Sequence, residues 1–450
     1  MLPPVRASLL LLLSQQQLLP LGPGIVSASA SASAIAEQQR VLVGPAAPQQ
    51  QALRHAVVDP AIVRALDAHA DPVDALLALQ PGLAAEMAAP RLLHLAGDEK
   101  PQWMTEGDKL RLRRRRRKFA DVTDFEDFYA RQREVGALAA DKAHLPELVN
   151  QRLVKPLIAQ VSTERMRGAL ERLTGFYTRY FGSTTGEQSA QWIHDQVAEI
   201  IRTAPFHTHM SLEYFPHPFP QPSVIARFEA RGARNASRPL TVVGAHQDSA
   251  NYLFPLLPAP GADDDGSGSV AALEALRVLA AAGFAPRRGP VEFHWYAGEE
   301  GGNLGSQAVA RYKRETGARI GAMLEFDMVA FVARNSTESI GLVETDADEP
   351  LTNWTMGLAR EYTSLPVEAY KLPPNAGSDY MSFTKVGYPA AFATEGNPMA
   401  GGGLPGDYDP YVHGVGDTLD VDDETGHMAR FAGLAIAFAV EQAGWDNTWR

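Results

Sequence analysis

From about residue 140 onward, hydrophobic residues follow two different periods along the chain. Residues 163–181 and 187–204 repeat them with the spacing of an α-helix. Beyond these, short runs rich in β-branched and aromatic residues alternate with further helical patterns. The predicted strands are 224–228, 240–243, 291–296, 322–326 and 390–393. The predicted later helices are 270–282, 306–316, 351–362 and 424–443.

This alternation predicts an α/β fold. Strands joined through helices form a mostly parallel mixed sheet, and the helices cover both of its faces in a three-layer sandwich. In such folds, functional groups gather in the loops that follow the carboxyl ends of the strands. We expect the domain to cover residues 141–450.

The N-terminal residues 1–34 have the pattern of a secretory signal peptide. Arg6 precedes an apolar run, 9–13, and alternating Ser and Ala at 27–34 resemble a cleavage site. Glutamines at 15–17 interrupt the apolar run, so we expect no membrane span. Three N-x-S/T sequons add the pattern of a secreted glycoprotein: Asn235, Asn335 and Asn353.

A basic run, residues 113–118, ends a segment rich in Ala, Leu, Gln and Pro that has no strong strand pattern. Such a run is compatible with a solvated, mobile charge block or with a cleavage site for a processing protease of the secretory pathway. A nuclear-localisation signal would conflict with the signal peptide. We favour processing, which makes residues 35–140 a propeptide.

Composition limits the chemistry of the chain. A formal net charge of −12 argues against a nucleic-acid partner, since phosphate neutralisation needs a basic surface. The sequence contains no cysteine, which excludes disulfides and thiolate metal ligands. Any metal must therefore be held by histidines and carboxylates.

Two candidate polar residues follow the predicted strand 240–243. His246 can bind a metal through one ring nitrogen, and Asp248 can hydrogen-bond the other and fix its tautomer. Taken alone, His246 fits a core histidine with a satisfied partner better than a ligand. Asp327, after the strand 322–326, and His413 add a carboxylate and a second imidazole.

Carboxylates also cluster at two other places. Three adjacent aspartates, 263–265, enter a glycine-rich turn, where they repel one another unless a cation is bound. The alternative is a solvated acidic turn that caps the following helix.

Glu299 and Glu300 follow the strand 291–296 and point to opposite sides, so that one can bind metal while the other faces substrate. On spacing alone they could equally be loop glutamates.

Five segments, in order, carry a resemblance to a known family. GAHQDS, PGADDDGSG, AGEEGGNLGS, EFDM and DYDPYVH…DT resemble the M28 family of dinuclear zinc aminopeptidases, and within it the secreted fungal leucine aminopeptidases. The match covers roughly residues 140–445, and residues 118–124 resemble the end of the propeptide in that group. The resemblance implies the zinc exopeptidase fold for residues 141–450.

The resemblance also implies roles at the metal site. Asp264 is expected to bridge two zinc ions. His246 and Asp327 would complete one zinc site, and Glu300 and His413 the other.

Further roles follow from the same resemblance. Glu299 would be the general base and Asp248 would orient the neighbouring histidine. Met328 and Tyr408 fall where relatives line the substrate pocket. The peptide bond between the second and third aspartates of 263–265 is expected to be cis.

These implications predict a secreted metallo-aminopeptidase that hydrolyses apolar, leucine-type N-terminal residues, with two Zn²⁺ per subunit. Its partners would be peptides with a free N-terminus and a processing protease. We expect it to bind no nucleic acid, to have no membrane span and to be a monomer. The alternatives are a glutaminyl cyclase with one zinc, a carboxypeptidase that uses Arg334 or Lys371, and a non-catalytic binding module.

Three departures from the family pattern affect the expected substrate pocket. Residues 373–377 lack the cysteine and the nearby aromatic of many relatives. Tyr380 stands where a histidine is common, and residues 399–406 form a glycine-rich insertion before His413. They bear on specificity and leave the metal site intact.

Overall fold

The computed structural model describes residues 58–134, 142–230, 239–333, 336–397, 408–419 and 425–446. The predicted signal peptide, two of the sequons (Asn235 and Asn335) and the insertion 399–406 lie outside these residues. The third sequon residue, Asn353, is described and is exposed on a helix.

The described residues contain strands and helices throughout. The strands are β1 Pro90–Leu95, β2 Gln102–Thr105, β3 Phe119–Asp121, β4 Met210–Phe215, β5 Ser223–Phe228, β6 Leu240–His246, β7 Val291–Tyr296, β8 Ile320–Phe326, β9 Ile340–Val343, β10 Val367–Tyr370 and β11 Ala390–Thr394. The helices are α1 Pro60–Ala68, α2 Pro72–Leu79, α3 Ala84–Met87, α4 Glu106–Arg114, α5 Glu126–Glu134, α6 Gln151–Ile158, α7 Thr163–Thr174, α8 Thr184–Thr203, α9 Gly268–Ala281, α10 Leu304–Glu315, α11 Glu349–Thr363, α12 Tyr380–Thr384 and α13 Thr425–Ala443.

Eight strands form one mixed sheet in the order β10-β9-β11-β8-β6-β7-β5-β4. Its four central strands, β11, β8, β6 and β7, are mutually parallel. Antiparallel pairs flank them, β9 on one side and β5 followed by β4 on the other. The parallel block brings the carboxyl ends of four strands to the same edge of the sheet, which positions the candidate site.

Helices cover both faces of this sheet. On β6, Val243 packs into the core formed with α9 and α13, while its neighbour Val242 packs into the core on the opposite face. Successive strand residues point to opposite faces, so a strand buried on both sides must be apolar at every position. The predicted three-layer α/β sandwich is confirmed.

All five predicted strands are present, with ends shifted by a few residues. The strands that the sequence did not indicate, β4, β9 and β10, lie outside the central block. β4 forms one edge of the sheet and β10 the other, and both carry several exposed residues. A half-exposed edge strand needs no continuous apolar run, so its pattern is weak. The helix expected at 163–181 ends at Thr174, where Gly175 follows as its C-cap.

Residues 58–134, which we call the upstream unit, are folded as well. They form helices α1 to α5 and a three-stranded antiparallel sheet in the order β2-β1-β3. These three strands lie in a segment whose sequence has no strong strand pattern. Its strands are three to six residues long and β1 is only half buried, too little for a clear pattern.

The upstream unit packs on the part of the chain that forms the eight-stranded sheet, through two apolar contacts. Residues of β3 and α5 join the second core, on the face that also buries Tyr296 and Phe383. Helices α1, α2 and α4 enclose Phe254, Leu257 and Val415 from loops at the strand ends. Among the described residues, no helix is long and apolar enough to cross a bilayer.

Candidate metal centre

Four of the predicted site residues lie at the carboxyl ends of the central parallel strands. His246 is the last residue of β6, and Asp327 directly follows β8. Glu299 and Glu300 lie in the turn after β7. All four are buried, with at most 5% of each residue exposed. The topology thus brings together residues that are up to about eighty positions apart in sequence.

These residues form two groups that share Asp264. His246, Asp264 and Asp327 each offer one ligand atom, all within 4.8 Å of one another, and so do Asp264, Glu300 and His413. The Nε2 atom of His246 lies 3.0 Å from Oδ1 of Asp264, and Nε2 of His413 lies 2.6 Å from Oδ2. The two oxygens of one carboxylate therefore face two different imidazoles.

Five side-chain atoms of the two groups are buried and lack hydrogen-bond partners. This holds for Nε2 of His246 and His413, for Oδ1 of Asp327 and for both carboxylate oxygens of Glu300. Buried polar atoms in proteins are nearly always paired, so a set of orphans that converge points to a shared cation. Imidazole nitrogens and carboxylate oxygens are the ligands of zinc where cysteine is absent. The residues present therefore fit a pair of divalent metal ions.

The turn 263–265 gives each of its three aspartates a different environment. The Asp265 carboxylate accepts hydrogen bonds from the backbone N–H of His246 at 3.1 Å and of Gly268 at 2.8 Å. The Asp263 carboxylate accepts one from the N–H of Ala330 at 2.9 Å. The Asp264–Asp265 peptide bond is cis, as the resemblance implied. The outer two aspartates fix the turn, and Asp264 is left to face the imidazoles.

Asp248 supports two parts of the site. Its backbone carbonyl lies 3.1 Å from Nδ1 of His246, and its carboxylate Oδ1 lies 3.5 Å from the same nitrogen. The carboxylate also accepts the backbone N–H groups of Glu299 at 3.0 Å and Glu300 at 3.2 Å. Asp248 therefore holds both the ring and the turn that carries the two glutamates, a second role that the sequence did not indicate.

Like charges crowd this buried edge and shift the ionisation of its carboxylates. Burial raises the pKa of Glu299 to about 7, and burial together with the charges of Asp264 and Glu299 raises the pKa of Glu300 well above its ordinary value. Burial alone would raise the pKa of Asp264, but the imidazoles of His413 and His246 hold this pKa well below its usual range. A bound cation would relieve this repulsion.

Three residues position the site in roles that the sequence analysis did not assign, although one of them, Asp417, belongs to the quoted segment DYDPYVH…DT. The Asp417 carboxylate accepts the backbone N–H of Asp263 at 2.7 Å and of Asp264 at 3.2 Å. The Tyr252 ring stacks on His413 with ring centroids 3.7 Å apart and planes 1° apart. These contacts join loops that are more than 150 residues apart, so no local pattern could reveal them.

The third of these residues, Arg179, is fully buried. Its guanidinium donates to the carbonyls of Gln247 at 2.9 Å and Gly261 at 2.8 Å, and also to that of Pro260. It thereby holds the β6 loop against the turn that carries the aspartates. Nothing in the sequence around Arg179 distinguishes it from a surface arginine.

The predicted pocket residues differ in their surroundings. Met328 is half-buried beside the site, with its N–H 3.4 Å from Oδ1 of Asp265, and has a φ of 56°. Tyr408 is half-buried close to Arg116 of the upstream unit. Tyr380 is fully buried, stacked on Phe392 with its hydroxyl donating to a backbone carbonyl, so it belongs to the core and not to a pocket wall.

Comparison with known proteins gives consistent matches. The model of "Peptidase family M28" matches residues 223–438. Leucine aminopeptidase 1 of Chaetomium globosum is 37% identical over 359 residues, which cover 77% of this chain and 83% of that protein. Leucine aminopeptidase 1 of Trichoderma harzianum is 37% identical over 361 residues, covering 77% and 85%.

A solved structure shows the same architecture. The LapA aminopeptidase of Legionella pneumophila superposes with a TM-score of 0.66 at 26% sequence identity. The match covers 80% of this chain and 96% of that one. The likeness therefore extends over almost the whole of the solved structure.

Proposed function

Because this chain belongs to peptidase family M28, we propose that it is a secreted aminopeptidase that removes apolar, leucine-type N-terminal residues, using two zinc ions and Glu299 as general base. Its identity as a zinc-dependent aminopeptidase follows from the family and from its named relatives. The observation that carries the finer proposal is the shared carboxylate of Asp264, which faces one imidazole with each oxygen.

Each of the two ligand groups is assigned to one zinc ion. His246, Asp264 and Asp327 would hold one zinc ion, and Asp264, Glu300 and His413 the other. Bound there, zinc would lower the pKa of a water molecule and polarise the scissile carbonyl. Glu299 belongs to neither group, which leaves its carboxylate available for proton transfer.

The chain's own residues carry the proton. The Glu299 carboxylate takes a proton from the attacking water and delivers it to the leaving amine nitrogen as the C–N bond breaks. Asp248 holds the backbone N–H of Glu299 and so fixes where that carboxylate lies. A free α-amino group can approach the cluster of metal ions and carboxylates, which favours a free N-terminus over a blocked one.

Substrate selection offers a direct test. We expect leucine-p-nitroanilide to be hydrolysed on the order of 10⁴-fold faster than its N-acetyl derivative, because an acetylated nitrogen is neither basic nor charged and cannot replace a free α-amino group at the centre. The measurement is kcat/KM for both compounds with the mature enzyme. Equal rates would contradict recognition of the N-terminus, and release of residues from the C-terminus of an N-acetylated peptide would favour a carboxypeptidase.

A carboxypeptidase needs a cationic side chain that faces the terminal carboxylate of its substrate. One of the two candidate residues for this role is not placed to fill it. The Lys371 side chain is 79% exposed and lies 3.7 Å from Glu344, where it is paired at the surface. Arg334, the other candidate, lies outside the described residues.

Metal removal is expected to destabilise the fold. The ligands repel one another in a buried site, so a ligand that binds only the folded state adds to its stability. We expect exhaustive chelation to lower the Tm of the mature enzyme by roughly 5–10 °C. Differential scanning calorimetry before and after chelation, followed by zinc addition, measures this shift. An unchanged Tm, or a loss that zinc does not restore, would argue against a structural contribution of the centre.

Secretion and maturation belong to the same proposal. Residues 1–34 would be removed as a signal peptide and residues 35–140 as a propeptide, which leaves 141–450 as the mature enzyme. The exposed position of Asn353 is compatible with glycosylation. N-terminal sequencing of the secreted protein gives the cleavage positions.

A further inference from the structure

The loop after β6 places an aromatic ring beside one of the candidate metal ligands. This loop, residues 249–259, carries Tyr252, whose ring lies parallel to the imidazole of His413, with ring centroids 3.7 Å apart and planes 1° apart. The backbone N–H of Tyr252 donates to the carbonyl of His413 at 3.0 Å. The two residues therefore lie side by side in their backbones as well as in their rings.

This arrangement determines where the Tyr252 hydroxyl points. Both rings start from neighbouring stretches of backbone and run in parallel planes, so their far ends lie on the same side. The far end of the His413 ring is Nε2, which lies 2.6 Å from Oδ2 of Asp264. The far end of the Tyr252 ring is its hydroxyl. Because a phenol is longer than an imidazole, this hydroxyl extends past the histidine toward the space in front of the ligand groups.

The charges that act on Tyr252 agree with this direction. Burial raises the pKa of its hydroxyl well above the ordinary value, and the carboxylates of Glu300, Glu299 and Asp264 raise this pKa further, while the ammonium of Lys118 lowers it. The hydroxyl is therefore close to the proposed general base and to the carboxylate that the two ligand groups share.

The Tyr252 hydroxyl is available as a hydrogen-bond donor. Within the part of the chain that the structure describes, no hydrogen bond uses it, although only 8% of the residue is exposed. Other buried tyrosines donate to a protein oxygen: Tyr129 at 2.9 Å, Tyr380 at 2.6 Å and Tyr388 at 2.8 Å. Since buried polar groups are nearly always paired, a hydroxyl without a protein partner points to a partner that binds from outside.

The loop holds the ring in a fixed position. The side-chain oxygen of Asn251 accepts the backbone N–H groups of Leu253 at 3.0 Å and Phe254 at 3.3 Å, and its amide nitrogen donates to the carbonyl of Pro258 at 2.9 Å. These bonds close the loop on both sides of Tyr252. A donor that is positioned before the substrate binds can stabilise developing charge without rearrangement.

We propose that Tyr252 is a catalytic residue, whose hydroxyl donates a hydrogen bond to the oxygen of the scissile carbonyl as negative charge develops there. The proposal rests on the function proposed above. Since Glu299 must reach the attacking water, the attacked carbonyl lies in the space that the hydroxyl faces.

The step balances without a further reactant. Addition of the water oxygen to the carbonyl carbon moves the π-electron pair of the C=O bond onto the carbonyl oxygen, and this pair returns when the C–N bond breaks. Glu299 carries the proton from the water to the leaving amine. The Tyr252 hydroxyl keeps its own proton throughout and acts only through its hydrogen bond.

Tyr252→Phe tests this role, because phenylalanine keeps the ring stacked on His413 and removes only the hydroxyl. In the secreted holoenzyme, we expect kcat for leucine-p-nitroanilide to fall about 10- to 100-fold with KM changed by less than about threefold, since the hydrogen bond forms only as charge develops. Metal content should equal that of the wild type. The Tm should stay within about 2 °C, because no described partner loses a hydrogen bond.

Tyr214→Phe is the matched control. Tyr214 also stacks on a histidine, His194, with ring centroids 4.2 Å apart. Unlike Tyr252, it is 40% exposed and lies on the edge strand β4. This variant should keep kcat within about twofold of the wild type.

Binding measurements give a readout that does not depend on turnover. The phosphonic acid analogue of leucine carries tetrahedral, negatively charged oxygens in place of the carbonyl, whereas isoamylamine has the same side chain and amine but no oxygen. We expect calorimetry to show about 10- to 100-fold weaker binding of the phosphonic acid to Tyr252→Phe than to the wild type, and unchanged binding of isoamylamine.

Two results would overturn the proposal. One is a wild-type kcat in Tyr252→Phe, and the other is equal weakening of both ligands, which would mean that the substitution disturbs the whole site. A wild-type protein that hydrolyses no free N-terminus would refute the proposed function instead. In that case the comparison of the phosphonic acid with isoamylamine still decides whether the hydroxyl contacts a tetrahedral ligand.

Discussion

Replacing Glu299 by glutamine is expected to lower kcat/KM for leucine-p-nitroanilide by roughly 10²–10⁴-fold without loss of bound metal. Glutamine keeps the size of the side chain but cannot accept a proton. Glu299 lies outside both ligand groups, so the metal content should not change. Its backbone N–H remains held by Asp248, which preserves the turn after β7. Kinetics and metal analysis on the same preparation measure both effects.

Two comparisons make this result specific to the general base. Glu213→Gln changes an exposed glutamate on β4 and should leave kcat/KM within about twofold of the wild type. Glu300→Gln, one residue along, should lower metal content because Glu300 belongs to a ligand group. If Glu299→Gln retained full activity, the assigned base would be wrong. If it lost metal instead, Glu299 would be a ligand.

The sequence could predict which residues come together at the candidate site because that site is built at the ends of strands. His246 and Asp327 each follow a continuous apolar run, and a parallel sheet must bring such ends to one edge. No long-range information is needed once the strands are located. The resemblance to a family then distinguished Asp264 from its two neighbours, which local chemistry alone could not do.

The environment of the basic run could not be predicted in the same way. Six consecutive basic residues are compatible with a solvated block or a cleavage site, and the sequence says nothing about what they contact. In the folded chain, α4 points Arg113 inward while Arg115 and Arg117 remain exposed. Residues of one run thus have different environments, from buried to exposed, and these depend on how the upstream unit packs on the rest of the chain. The roles of Tyr252 and Arg179 could not be predicted either, because the residues that they contact are distant in sequence.

Replacing Asp264 by asparagine is expected to remove both metal ions, not one. Its Oδ1 and Oδ2 atoms face the imidazoles of His246 and His413 respectively, and asparagine offers one oxygen and no charge. Metal content should fall from about two ions per chain to below about one, and kcat/KM by on the order of 10³-fold or more. His413→Ala, which disturbs only one ligand group, should retain about one ion.

Metal analysis after dialysis against metal-free buffer distinguishes a bridging ligand from a terminal one. Circular dichroism and Tm establish that the variant is folded, since the Asp264 backbone is held by Asp417 and not by its own side chain. Asp195→Asn is the control, because that side chain is 64% exposed on α8 and distant from the site. If Asp264→Asn and His413→Ala each lost the same single ion, Asp264 would serve one metal only. Loss of both ions in Asp264→Asn alone means that one carboxylate couples the two sites, so that neither half of the centre is complete without the turn 263–265.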